Sequence, residues 1–153
     1  MLTALRTLRL LAITVWLGGL LFFGAVMAPV AFHVLPTTHL AGAVVGASLR
    51  ILHIIAMVCG ALLIVTTLLL ARTCRALIFC GITVAMLLLT AYSQFSIIPR
   101  MDADRAAAGE ITRDCTSAPC TDFNRLHPLS ERVEEAVMVG GLALVVMLAQ
   151  RED

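Results

Sequence analysis

The chain contains no lysine, and its eleven basic residues are all arginine. Charged residues are scarce at 14%, against about 25% in a soluble domain. A net charge of +1 leaves no electrostatic case for nucleic acid as a partner. Also missing are a phosphate loop, a GxSxG elbow, an HExxH helix and any CxxC pair. No enzymatic signature is present, and nothing in the chain demands catalysis. There is no low-complexity tract and no convincing internal repeat.

What is present is apolar length. The 153 residues are 60% hydrophobic, with a mean hydropathy of +0.98. A soluble domain of about 150 residues buries only about 70% of its unfolded surface, so lipid is the solvent that accepts the remainder. The pattern predicts one all-α membrane domain over 1–153, a four-helix bundle with spans near 8–35, 40–71, 76–98 and 129–149. Each is measured against the roughly 20 residues needed to cross about 30 Å of hydrocarbon.

The first run follows Arg6 and Arg9 and so resembles a signal peptide. Pro29, directly after the small residue Ala28, is a poor residue after a cleavage point, and the run is expected to stay as a span. The second run is longer than a bilayer core, so it must tilt or start in the interface, with Thr37 and Thr38 after Pro36 as candidate caps. The third ends at Pro99-Arg100, and good helix formers from Asp102 to Ala108 allow it to continue as a polar helix. A loop over 100–128 then leads to the fourth. There Pro128 suits a first helical position, and Glu131, Glu134 and Glu135 occupy first turns, where the macrodipole favours negative charge.

Arginines near span ends resist translocation. Arg6, Arg9, Arg72, Arg75 and Arg151 share one side in this topology. The arginines of the long loop (Arg100, Arg105, Arg113, Arg125) are balanced by Asp102, Asp104, Glu110, Asp114 and Asp122. Both termini are therefore expected in the cytoplasm. Cys115 and Cys120 flank Thr-Ser-Ala-Pro in the outer loop, where an oxidising compartment permits a disulfide; free thiols and a metal pair are the alternatives. Cys59, Cys74 and Cys80 read as small apolar residues. Gly42 with Gly46, and Ala136 with Gly140, form small-xxx-small pairs suited to close helix approach.

Polar residues in spans are costly and rarely face lipid. Arg50 lies at the outer boundary of the second span, with His53 one turn deeper and Met57 one turn beyond. His and Met at this spacing can bind a soft metal or serve a haem iron; a packed, hydrogen-bonded histidine is the plainer reading. On the fourth span His127, Glu131 and Glu134 fall at i, i+4 and i+7, a stripe able to receive a cation or relay a proton. Arg50, Arg125 and Arg132 are the chain's own candidates to neutralise it.

Four segments carry a family resemblance: Trp16-Leu17-Gly18-Gly19 with Ala28-Pro29; Ala41-Gly42 to Gly46; Ile97-Ile98-Pro99-Arg100-Met101; and Phe123-Asn124-Arg125-Leu126-His127-Pro128-Leu129-Ser130-Glu131-Arg132-Val133. With these the chain resembles the transmembrane-protein-205-like family, small four-span proteins whose bacterial members are mostly of unknown function. More distantly it is similar to bundles of the copper-resistance D and haem-dependent membrane protoporphyrinogen oxidase type. The matched polar positions are Arg100, Arg125, His127, Ser130 and Arg132. The animal relative's association with resistance to platinum drugs implies handling of a soft metal complex. The wider group implies metal or haem as cofactor, and the bacterial members imply a multi-pass protein of the plasma membrane.

Three functional expectations follow: handling or transport of a metal ion, metal complex or other small solute; a non-catalytic subunit packed against a larger membrane complex or a second copy of itself; and a haem- or quinone-binding redox protein using His53. Topology is the first property to test. A reporter active only outside the cytoplasm, fused after Asp153, should be inactive, whereas the same reporter within the long loop should be active. Activity at Asp153 would reject the assignment.

Overall fold

The computed structural model describes residues 2–109, 111–112 and 115–150; Glu110, Arg113, Asp114 and Arg151, used in the charge comparison above, lie outside them. Four long helices account for nearly all of these residues: α1 (Leu2–Val34), α2 (Thr38–Leu70), α3 (Cys74–Ala108) and α4 (Ala118–Ala149). No strand occurs among the described residues. The first three, of 33, 33 and 35 residues, are long and apolar enough to cross a membrane. The first half of α4 is too polar for that, although Val139, Leu142 and Val146 of its second half are exposed apolar residues.

Local chemistry sets the helix ends. The Thr37 hydroxyl accepts the Leu40 N–H at 3.2 Å and starts α2, and Thr73 does the same for Ala76 at the start of α3, each satisfying one orphan donor. Gly109, at φ 71° and ψ −106°, ends α3 in a positive-φ conformation that costs glycine least. Its carbonyl accepts from Nδ1 of His39 at 2.8 Å, tying the start of α2 to the end of α3. At the opposite end Arg75 donates to the Met147 carbonyl at 2.6 Å, placing a cation on the final carbonyls of α4, where the dipole favours it.

Two prolines sit inside long helices without breaking them. Each follows a π-helical turn, Phe23–Met27 before Pro29 and Ser93–Ile97 before Pro99. The Ala28 N–H reaches back to the Phe23 carbonyl and the Ile98 N–H to that of Ser93. The widened turn reorganises the ladder just where a proline ring would crowd the carbonyl four residues earlier.

The fourth helix differs most from expectation. It begins at Ala118 rather than near Leu129, with Pro119 in its first turn, and Pro128 lies inside it. The segment expected as a loop over 100–128 is thus mostly helix. Glu131, Glu134 and Glu135 stand in the middle of α4, beyond the first turn in which a macrodipole acts. Cys115 and Cys120 are joined in a disulfide, Cα atoms 6.1 Å apart, which pins the approach to α4 onto its first turn.

The helices pack in chain order, α1 on α2, α2 on α3 and α3 on α4, with the first part of α1 also touching α4. Trp16, Ala56, Leu63, Met86, Val137 and Leu144 form the shared core. Glycine makes its closest approaches feasible. A Cβ on Gly60 would lie 2.5 Å from Leu87 Cδ2 and 2.9 Å from the Trp16 ring, and one on Gly140 would lie 2.8 Å from Met86. Gly140 therefore serves packing within the chain, while Ala136 is exposed. Gly42 and Gly46 instead make room for a side chain: their Cβ positions lie 3.2 and 3.6 Å from the Arg105 guanidinium.

Gly60→Val should lower the thermal stability of the detergent-solubilised protein by about 1–3 kcal/mol through overpacking. Gly81→Ala, where nothing lies within 4 Å of the new Cβ, should be neutral or stabilising, since alanine suits a helix better by about 1 kcal/mol. Equal effects at the two positions would contradict the packing described.

Candidate functional site

Midway along α2 and α4 the bundle buries an imidazole and a carboxylate against each other. His53 is 1% exposed, and its Nε2 lies 2.9 Å from Oε1 of Glu134, whose side chain is 16% exposed. Ser93 Oγ donates to the same carboxylate oxygen at 3.1 Å, and Gln94 Oε1 lies 3.2 Å from His53 Nδ1. Neighbours on a regular helix point about 100° apart, yet Ser93 and Gln94 both reach this one pair. They open the π turn of α3, a local geometry often found at functional sites.

Two of the proton arrangements open to the quartet differ by one proton. With the Gln94 oxygen facing Nδ1, His53 donates from both nitrogens and forms an ion pair with Glu134. If His53 holds one proton and gives it to Glu134, Nδ1 becomes an acceptor and the Gln94 amide must rotate to donate from nitrogen.

Of these four residues Glu134 also lines an open cavity of about 1610 Å³. One wall is the latter part of α1 (Phe23, Ala28, Phe32) and the start of α2; the other is α4, with His127, Glu131, Glu134, Glu135 and Met138. Asp102 and Arg105 line it from the polar extension of α3. Asp102 is a bridge: its Oδ2 pairs with Arg50 and its Oδ1 with Arg105 at 2.9 Å. The Arg105 guanidinium also lies 5.2 Å from the centre of the Phe123 ring, a cation–π distance.

The sequence-derived candidates are therefore regrouped. Glu134 turns to His53 on another helix, while His127 and Glu131 remain together at 3.5 Å, both well exposed. Arg50 pairs with Asp102 and not with the carboxylate stripe of α4. Met57 lines neither cavity. Arg100, Arg125 and Arg132 are exposed and form no ion pair among the described residues; Ser130 is buried and lines the cavity. Among the described residues, no group of three or more His, Cys, Asp or Glu could hold a metal ion. Sequence reasoning missed Ser93, Gln94, Asp102 and Arg105. The available signals were a Ser-Gln pair inside an apolar run and an Asp and Arg at i, i+3 just beyond it.

A family model described as a domain of unknown function (DUF4149) matches residues 11–110, from α1 through the end of α3. The matched region includes His53, Ser93, Gln94, Asp102 and Arg105, and stops short of Glu134. No curated protein and no solved structure matches the chain.

His53→Ala leaves a largely buried carboxylate with Ser93 alone and should cost about 3 kcal/mol, read as thermal unfolding through the fluorescence of Trp16, the single tryptophan. Joint replacement of His53 and Glu134 by leucine should cost less than the sum of the two single changes by about 0.5–3 kcal/mol. Strict additivity would show the two groups to be uncoupled.

Proposed function

The chain belongs to the DUF4149 family, and we propose that it is a small membrane protein that receives a small organic solute in the cavity between α1 and α4. One observation carries the reading: Glu134, paired with the buried His53, lines a large open cavity in a largely apolar bundle. Ionisable groups inside membrane segments are costly and tend to mark solute or proton routes. Ligand sites are typically apolar concavities with few convergent polar groups.

Charge narrows the solute. Among the cavity-lining residues Asp102, Glu131, Glu134 and Glu135 give −4 and Arg105 gives +1, a net −3 with histidines neutral. Leu20, Phe23, Phe32, Val45, Leu49 and Met138 supply apolar wall. A solute with a protonated nitrogen and an apolar body fits both features. Glu131 and Glu135 would draw it in, and the His53–Glu134 pair would answer its arrival by exchanging one counter-charge for another. The arginine bias supports a mouth on the outer side of the membrane, and the Cys115–Cys120 disulfide at the same end accords with an oxidising compartment.

The other expectations draw less from the geometry. His53 has both ring nitrogens engaged, so it does not suit a haem iron, and the metal reading lacks a convergent donor set. The exposed apolar faces are what lipid itself requires, and so do not favour a partner subunit.

Fluorescence polarisation of ethidium, an aromatic cation, with the purified protein tests the proposal. Binding is expected for the unaltered chain and not for the anion fluorescein. Glu131→Gln with Glu135→Gln, both at exposed positions, should weaken ethidium binding about tenfold, equivalent to about 1.4 kcal/mol. Unchanged affinity in that folded variant would remove the cation reading.

A further inference from the structure

A second, smaller concavity lies on the other flank of Arg105. It has a volume of about 230 Å³ and is lined by His39, Ala43, Ala47, Arg50, Asp102 and Arg105, with Ala106 at its edge. Two guanidinium groups face one carboxylate here, so the cluster keeps one positive charge (2 − 1). Asp102 takes one hydrogen bond from each arginine. A guanidinium carries five N–H donors, and the rest of these have no protein acceptor among the described residues. Arg105 is held in place by Asp102, by the Phe123 ring and by the room over Gly42 and Gly46; Arg50 is the more exposed partner, its side chain 44% accessible.

Depth identifies the ligand chemistry. Ile98 is the last residue of the apolar run of α3, and Asp102 stands four residues beyond it, about 6 Å at 1.5 Å per residue. The polar interface flanking the hydrocarbon is about 5–8 Å deep on each side, which is where phospholipid phosphates lie. Next to the concavity α2 exposes Leu40, Val44 and Ile51, an apolar surface along which acyl chains can run, while Ala43 and Ala47 leave the approach to Arg50 open. Arginine suits this task, because its planar fork matches two oxygens of a phosphate.

We propose that Arg50 and Arg105 bind a phosphate group in this concavity, at the depth of a phospholipid headgroup. The site shares His39, Asp102 and Arg105 with the lining of the solute cavity, whereas Arg50 belongs to it alone, and the proposal does not depend on the function proposed above.

The test uses the full chain in dodecyl maltoside, with native mass spectrometry and thermal unfolding as readouts. Four additions are compared: phosphatidylglycerol, phosphatidylcholine, diacylglycerol with the same acyl chains, and inorganic phosphate. Phosphatidylglycerol should be retained as a single adduct and raise the unfolding midpoint, with phosphatidylcholine weaker because its choline meets the excess positive charge, and diacylglycerol no better than background. Protection by inorganic phosphate without lipid retention would assign the same site to a free phosphate. Arg50→Gln should reduce retention about tenfold, Arg50→Lys should keep an intermediate level, and Asp102→Asn, which raises the local charge, should retain the adduct at least as well as the unaltered chain. Equal retention by the unaltered chain and Arg50→Gln, or diacylglycerol bound as well as phosphatidylglycerol, would overturn the proposal.

Discussion

The buried contact between His53 and Glu134 is the constraint around which the rest of the bundle is arranged. A carboxylate taken out of water costs several kcal/mol even after relaxation, and lipid offers it no partner. The imidazole of α2 must therefore reach α4 at mid-length, with the Ser93 hydroxyl of α3 on the same oxygen. Three helices must converge to within side-chain reach at one level. The glycines one to two turns nearer the chain ends, Gly60, Gly140 and Gly141, admit the neighbouring side chains at less than 3 Å from where a Cβ would be. The π turn at Ser93–Ile97 supplies two polar groups from consecutive residues and also accommodates Pro99.

A second polar knot governs the opposite part of the bundle from the termini. Asp102 joins Arg50 of α2 to Arg105 of its own helix, and Arg105 crosses to the face of Phe123 on α4. The extension of α3 beyond Pro99 is thus fastened to both neighbours without an apolar core of its own beyond Ile97, Met101, Phe123, Leu126 and Val133. Fixing α3 and α4 against α2 at this end, while the latter part of α1 packs on α2, leaves the space between α1 and α4 that becomes the large cavity. The cavity and the smaller concavity share His39, Asp102 and Arg105 in their walls; the carboxylates of α4 make the first net negative, and Arg50 makes the second net positive.

The family match divides the chain in an informative way. Residues 11–110 bring three helices with His53, Gln94 and the Arg50–Asp102–Arg105 bridge, whereas the carboxylate that His53 binds comes from α4. A histidine buried in an apolar helix needs hydrogen-bond partners wherever it occurs. In this chain α4 provides the charged one and Gln94 the neutral one.

Apolar length was sufficient to determine a helical bundle suited to a membrane, because lipid leaves a chain few ways to satisfy its backbone other than continuous helices. The continuation of α3 through Ala108 was legible for a similar local reason: residues 102–108 favour helix on their own. The start of α4 was not read correctly. Both Pro119 and Pro128 can open a helix, and the pattern favours Pro128 because it adjoins the apolar run. Periodicity along α4 placed His127, Glu131 and Glu134 on one stripe, but a stripe gives only the direction in which side chains leave their own helix. Which helix stands opposite, and at what height, decides the partner. That height is set by packing between helices distant in sequence: Gly60 under Leu87 and Trp16, and Gly140 under Met86. Only the tertiary structure could therefore give Glu134 to His53, Arg50 to Asp102, and the Gly42–Gly46 pair to an arginine side chain in place of a second helix.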